Sequence, residues 1–542
     1  MFSKHKFLLI NLAVLLFVGL IFLFPFFQKG FYLSHDGEAQ VARFGAYVKG
    51  FLDGQFPIRW AGDLNYRYGS SVLIFYYPLT GLAAIPLNIV GISLENSFKL
   101  IIGFSFVICF SSFFLWIREL TKDNRAAFAG ALVYGLAPYH FLNLYVRGDI
   151  AELLALGLVP FVFYFIEINR KERIEFTLLS SVFYALVILS HNSVSLVFSP
   201  IILLYAIFRS KDKKSLFSSF LMILLGLMMS AFFWLPAIIE AKYTNAQLFM
   251  GDMFKNNFPS FSSLIYSNWG FGADVNKAGG LSPQLGIIAW AFVLLSTLFI
   301  FRKNKYSKDV IFWMVIFWGL IFLTIGSSSS IWKIVPFLKE LQFPWRFVGI
   351  SSFVAAVLAS LSISILGKKT KYIVIVLILL YSIQFVKIIP IKSKPDSFYF
   401  SYPGTTYYHG QASSIWTAGD FFEYPKNKIE IIGGRGKIVS QNIKSNLHTL
   451  RLDAKTNLSI LDNTVYFPGW EVDVGRNKIP IEFQDMNHRG LIEFRVPEGI
   501  HSVKIRFGES IVRQISDYLS ILGVVFLMLF ALIRKRINMF KI

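Results

Sequence analysis

The chain has 542 residues, 55% hydrophobic and only 16% charged; mean hydropathy is +0.56. A soluble globular protein carries about 25% charged residues, and apolar content this high cannot be hidden under so little polar cover. A soluble enzyme and a disordered chain are therefore excluded. Apolar runs of helical span also argue against an outer-membrane barrel, which needs short alternating strands. The excess of 53 Lys+Arg over 32 Asp+Glu, +21, would suggest nucleic acid in a soluble protein. In a membrane protein it marks cytoplasmic loops. The single cysteine, Cys109, rules out a disulfide within the chain.

Two lysines, Lys4 and Lys6, precede an apolar run from Phe7 to about Phe26. That run is longer than a signal-peptide core and is followed by no small-residue cleavage site, so it predicts a retained first helix. Further apolar runs lie near 71–91, 97–117, 126–144, 150–168, 177–190, 193–208, 215–238, 285–301, 309–326, 347–367, 373–390 and 517–533. Seven segments between them (1–6, 118–125, 169–175, 209–214, 302–308, 368–372 and 534–542) hold 23 Lys+Arg against 5 acids. Placing all seven in the cytoplasm accounts for most of the basic excess and puts the N-terminus inside.

Parity then works everywhere except before residue 118, where three runs would cross. The run 71–91 carries Pro78, Pro86 and the polar pair Ser70-Ser71, and broken segments at membrane depth line cavities. The expectation is a polytopic α-helical membrane protein with about twelve spanning helices plus one re-entrant or juxtamembrane segment. The competing topology turns the N-terminus outward, which Lys4 and Lys6 oppose. In the preferred one, 27–96 is a long first outer loop within a transmembrane module spanning 1–390. Residues 391–516 form an extracytoplasmic β-rich, sandwich-like domain, read from alternating stretches such as Glu471-Val472-Asp473-Val474 and Val503-Lys504-Ile505-Arg506. Residues 517–542 give a final helix and a basic cytoplasmic tail.

Four motifs fall on the outer face. Ser34-His35-Asp36-Gly37-Glu38 places two carboxylates where they can take a proton or hold a divalent cation. The plainer reading makes Asp36 the cap of a helix over 38–52. The stretch Phe51 to Trp60 looks like an interfacial piece with Arg59 and Trp60 at headgroup level. Arg147-Gly148-Asp149-Ile150-Ala151-Glu152 sets two acids three apart on a starting helix, which the helix dipole alone would explain. Ser190-His191-Asn192 puts a histidine at a hairpin tip, where a structural role is twice as common. Gln342-Phe343-Pro344-Trp345-Arg346-Phe347 is either an aromatic-belt anchor or an anion site built on Arg346. Acids and phosphate-binding cations on one membrane face suit a reaction on a lipid-linked phosphate. Walker A, dinucleotide-binding, zinc and nucleophile-elbow patterns are absent from the sequence.

These features resemble the GT-C superfamily of membrane glycosyltransferases, with Asp36 matching the first-loop acid and 71–91 the juxtamembrane part of that loop. Asp149 and Glu152 resemble a second-loop acidic motif, with altered spacing. More narrowly, the 145–152, 189–192 and 342–347 stretches look like bacterial membrane proteins of the 6-pyruvoyl-tetrahydropterin synthase-related type. The stretches 466–472 and 496–503 are similar to the end of YfhO-type membrane glycosyltransferases. The resemblance implies an integral plasma-membrane transferase moving a sugar from a polyprenyl-phosphate donor to a glycan, lipid or protein acceptor hydroxyl, with no nucleic acid partner. In it Asp36 is the catalytic base or a metal ligand. Glu38, Asp149, Glu152 and His191 shape an acceptor or metal site, and Arg346, Arg147 and Arg59 bind the lipid phosphate. The acids offer ligands to Mg or Mn. Two alternatives stay open: a transporter or flippase for a lipid-linked glycan, and a non-catalytic anchor for a glycan-binding β domain.

Overall fold

The computed structural model describes residues 2–169, 175–246, 248, 251–301, 305–407, 410–417 and 421–539. The predicted basic segments 1–6, 169–175, 302–308 and 534–542 lie wholly or partly outside the residues whose side chains are described.

The first half is helical: α1 (Phe2–Phe22), α2 (Gly37–Leu52), α3 (Val72–Phe75), α4 (Leu79–Ile89), α5 (Leu94–Thr121), α6 (Asn124–Gly135), α7 (Pro138–Phe141), α8 (Ile150–Asn169), α9 (Glu175–Ser190), α10 (Asn192–Arg209), α11 (Lys213–Met229) and α12 (Ala231–Ile239). The longer helices that follow are α13 (Ile287–Phe301), α14 (Ser307–Thr324), α15 (Phe347–Ile365), α16 (Lys368–Ser382) and α17 (Ile511–Met539). Helix starts follow from capping chemistry: the Asp123 carboxylate accepts from the amides of Arg125 and Ala126 at 2.9 and 3.1 Å, opening α6.

Helices occupy the predicted runs, but among the described residues length and apolarity suffice for crossing in six: those over Leu94–Thr121, Ile150–Ile168, Asn192–Arg209, Ser307–Thr324, Pro344–Ile365 and Ile511–Leu532. A seventh is the pair α11–α12, bent by 71° at Ser230. α1, α4, α9 and α13 are shorter apolar helices. Between α3 and α4 the chain breaks at Tyr76-Tyr77-Pro78, and α4 has only 11 residues, about 16 Å of rise. α5, α8 and α15 bury a ring cluster in which Trp116 stacks on Phe353 at 5.2 Å and Phe163 lies 4.8 Å from Trp116.

The two larger β-sheets occupy Ile429–Phe507, later than the predicted domain start at 391. One antiparallel sheet has the order β4 (Gly436–Ile443), β5 (Leu447–Ala454), β10 (Gly499–Phe507), β7 (Trp470–Val474) and β8 (Asn477–Ile479). The other runs β3 (Ile429–Gly433), β6 (Leu458–Val465) and β9 (Leu491–Val496). Alternate residues such as Leu450, Leu452, Val472, Val474, Val503 and Ile505 point into a shared core, as period-two patterning requires. The segment 391–428 holds the short helix Asp396–Phe400. The final helix begins at Ile511, six residues before its predicted start, so 511–516 belong to it and not to the β domain.

The first loop is sewn to this domain. β1 (Phe31–Tyr32) pairs antiparallel with β2 (Pro390–Ile391). Trp60 and Ile74 are buried in the β core, and Trp60 lies edge-on to Trp470 at 5.3 Å. Trp60 and Arg59 are thus not the headgroup-level pair expected from the sequence. Both are buried by protein.

Candidate active site

The chain between α7 and α8 is a π-helical stretch, Leu142–Arg147, closed by Gly148 in the left-handed region (φ 66°). A Cβ at Gly148 would lie 2.7 Å from Ser34 Oγ and 3.0 Å from the Gly37 nitrogen, so only glycine lets the Ser34–Asp36 loop dock here. Two backbone bonds fix that docking: the amides of His35 and Asp36 donate to the carbonyls of Val146 and Arg147 at 3.0 and 2.8 Å. Residues 111 positions apart thus share one turn.

Arg147, Asp149, Glu152 and His191 are 4%, 3%, 1% and 2% exposed. Arg147 donates to Asp149 Oδ2 at 2.7 Å, to Glu152 Oε2 at 2.5 Å and to Asn143 Oδ1 at 2.6 Å. The remaining carboxylate oxygens are also engaged. Tyr139 donates to Glu152 Oε1 at 2.6 Å, and the Glu152 amide donates to Asp149 Oδ1 at 3.0 Å. The guanidinium lies 4.7 Å from the Trp345 ring. Burial opposes the charge on Asp149, but Arg147, with smaller contributions from His191, the Glu152 amide and Arg346, outweighs it and brings its pKa down to about 2.

His191 precedes α10 and accepts the Val194 amide on Nδ1 at 3.3 Å. Its Nε2 lies 3.9 Å from Asp149 Oδ2. Burial holds its pKa near 4, so the ring is neutral at pH 7 and its proton sits on Nε2. Asp149, Glu152 and His191 have ligand atoms within 4.8 Å of one another, but they do not fit a divalent cation. All four carboxylate oxygens already accept hydrogen bonds, His191 Nε2 carries a proton, and Arg147 stands where the metal charge would be. No step is assigned to Mg or Mn.

Asp36 differs from these residues. It stands at the N-cap of α2, the position the plainer sequence reading gives it, but makes no side-chain capping bond. Among the described residues no hydrogen bond or ion pair engages its carboxylate. Burial raises its pKa, and the Asp149 charge adds to this against Arg147 and Arg43. Arg346 acts on Asp149 through its charge. It donates to Ser193 Oγ at 3.2 Å and the Leu341 carbonyl at 2.9 Å, and its buried Nε is unpaired. With Glu152, His191 and Phe347 it lines a small recess.

Three expected participants are already committed, two of them outside the cluster. Glu38 pairs with Lys394 at 2.6 Å on the surface. Arg59 is held by Asp517 at 2.6 Å, Glu509 at 3.3 Å and the Phe232 carbonyl. Arg147 is in the cluster but saturated, so neither of these arginines is placed to take a phosphate. Sequence reasoning missed Tyr139, Asn143 and Trp345, which serve Arg147. It also missed Tyr77, whose ring lies 4.8 Å from His191, and Arg43, 3.6 Å from the Tyr76 ring. Only Trp345 had a signal, its place next to Arg346.

Residues 73–391 match the family model for the 6-pyruvoyl-tetrahydropterin synthase related domain, a membrane protein. The chain belongs to this family. The family segment contains Arg147, Asp149, Glu152, His191 and Arg346, whereas Asp36 precedes it and the β domain follows it. An uncharacterized protein of Lactococcus lactis subsp. cremoris (strain MG1363) is 26% identical over 243 residues, 42% of this chain and 39% of that one. Two solved structures are similar to part of the chain. The arabinofuranosyltransferase AftD from Mycobacteria is 13% identical at TM-score 0.41, covering 73% of this chain and 27% of that one. ArnT from Cupriavidus metallidurans, bound to undecaprenyl phosphate, is 14% identical at TM-score 0.38, covering 68% and 62%. The chain thus spans about two fifths of the curated relative and about a quarter of AftD.

Proposed function

We propose that this chain is an integral-membrane glycosyltransferase of GT-C type acting on the extracytoplasmic face. It moves a sugar from a polyprenyl-phosphate donor to an acceptor hydroxyl. The observation that carries this reading is the uncommitted Asp36 carboxylate, docked by backbone bonds onto a buried charge cluster in which every other acid is engaged. A carboxylate kept free beside membrane-level charges costs stability that a mere anchor need not spend.

In the reaction, Asp36 accepts the acceptor hydroxyl's proton as that oxygen bonds to the anomeric carbon. The bond from that carbon to the phosphate oxygen breaks, and polyprenyl phosphate leaves with the electron pair. Arg346, which has no acid partner among the described residues and an unpaired Nε, offsets the charge on the leaving phosphate. Arg147, Asp149 and Glu152 hold the turn that positions Asp36. His191, as the cap of α10, holds the Ser193 end of the Arg346 recess.

The test uses purified full-length protein in liposomes with a polyprenyl-phosphate hexose. Release of free polyprenyl phosphate is expected. Movement of the intact donor between leaflets without release would support a flippase instead.

A further inference from the structure

A second group of cation ligands, Asp485, His488 and Glu493, lies in the β domain, with ligand atoms within 4.8 Å of one another. It differs from the Asp149, Glu152 and His191 group in what those atoms are doing. His488 Nδ1 lies 3.6 Å from Asp485 Oδ1 and 3.7 Å from Glu493 Oε2. Both distances exceed the roughly 2.7–3.2 Å of an N–H···O bond. His488 Nδ1 and Glu493 Oε2 are buried atoms, and neither has a hydrogen-bond partner among the described residues. Asp485 Oδ1 accepts the Asn487 amide at 2.8 Å and keeps a second lone pair. Buried polar atoms without partners are costly, and a shared cation would satisfy all three at once. Burial, then the charges of Asp485 and Glu482, raise the Glu493 pKa; a cation turns that repulsion into attraction.

The backbone sets these residues in place before any ion arrives. Glu482 and Glu493 exchange both backbone bonds at 2.8 Å, closing the neck of the loop. Inside the neck, the Gly490 amide donates to the Phe483 carbonyl at 2.7 Å and the Leu491 amide to that of His488 at 3.0 Å. Phe483 stacks on Tyr466 at 3.8 Å. The tip beyond has no such support, and Met486 there is almost fully exposed. With Cys109 as the chain's single cysteine, no disulfide can close this loop.

We propose that Asp485, His488 and Glu493 bind one divalent ion of the zinc class, which clips the 485–488 turn to β9. The ligand set selects the ion. Calcium and magnesium take oxygen ligands, whereas imidazole together with carboxylate suits zinc. With the proton on Nε2, His488 Nδ1 offers its lone pair. Zinc bonds of about 2.0–2.2 Å at tetrahedral angles set ligand atoms about 3.3–3.6 Å apart. The 3.6 and 3.7 Å separations lie at the upper edge of that range. Two carboxylates balance the charge of the ion, and the fourth position is left to water. The clip does not depend on the proposed sugar transfer.

The experiment titrates Zn²⁺ into the full chain in nanodiscs, stripped with chelator, and follows binding by calorimetry. Wild type should bind one equivalent that His488→Ala and Glu493→Gln do not. Losing an outer partner of a metal ligand costs about 10–100-fold in affinity, so losing a ligand should weaken this equivalent at least about 100-fold. Mg²⁺ should not displace it. Trypsin cleavage after Arg489, read by mass spectrometry, should slow by up to about 100-fold in wild type with zinc at 100 times its Kd, and not at all in either variant. Glu493→Gln keeps the side-chain shape, so it carries the test alone if His488→Ala disturbs the loop. Equal zinc binding in wild type and Glu493→Gln, or cleavage after Arg489 in wild type that ignores zinc, would overturn the proposal and leave His488 as an ion-pair partner of the two acids.

Discussion

At the residue scale, Asp36 and Arg147 make opposite predictions. Asp36 ionises at a cost, because burial and then Asp149 raise its pKa. A raised carboxyl contributes stability in the protonated form that is lost as pH rises through the folded-state pKa. Asp36→Asn should therefore melt above wild type at pH 7, and the gap should close as pH falls toward about 3.9, the ordinary Asp value. Thermal unfolding followed by intrinsic fluorescence at stepped pH reads this out. Arg147→Ala would strand two buried carboxylates and should cost about 3–5 kcal/mol, seen as a lower melting temperature at neutral pH. The acids of this site were legible as motifs, since Asp149 and Glu152 sit three apart in plain view. Their commitment to Arg147 was not. It depends on a π-helical turn that aims the arginine back onto the helix that follows, and no local propensity announces such a turn.

At the element scale, the helices were readable because each apolar run is long and bounded by polar residues, and the strands because Trp470–Val474 and Gly499–Phe507 alternate. The packing between distant elements was not readable. Arg59 and Trp60 look interfacial beside a membrane helix, yet they are buried by the β sheets and by α17, more than 400 residues later. The joint between α12, the β domain and α17 has the same character. Arg513, fully buried, meets both oxygens of Glu240 at 3.1 Å and donates to the carbonyls of Gly508 and Pro468. Arg513→Ala leaves Glu240 buried and unpaired, so limited proteolysis should cut near 508–511 at least several-fold faster than in wild type, whereas Lys478→Ala on the exposed face should change nothing.

For the whole molecule, the proposed reaction requires that the Asp36 turn, the Arg346 recess and the β domain share one side of the membrane, opposite the basic segments. Cys109 is buried in α5, so the chain is already silent toward aqueous thiol reagents. Met486→Cys, at a β-domain position 95% exposed, should react with an impermeant maleimide in intact cells, and Lys122→Cys, between α5 and α6, only after lysis. The reverse pattern would move the site to the cytoplasm. Charge parity along the sequence predicts this arrangement; it could not predict that residues 31–32 and 390–391 pair, which ties the 27–96 loop to the segment leading into the β domain.

The central claim is that Asp36 is the base. The most direct measurement is release of polyprenyl phosphate from a polyprenyl-phosphate hexose by wild type and Asp36→Asn in the same liposomes. Loss of positioned proton transfer should slow Asp36→Asn by about 10²–10⁴-fold with the fold intact; release at the wild-type rate would contradict the account.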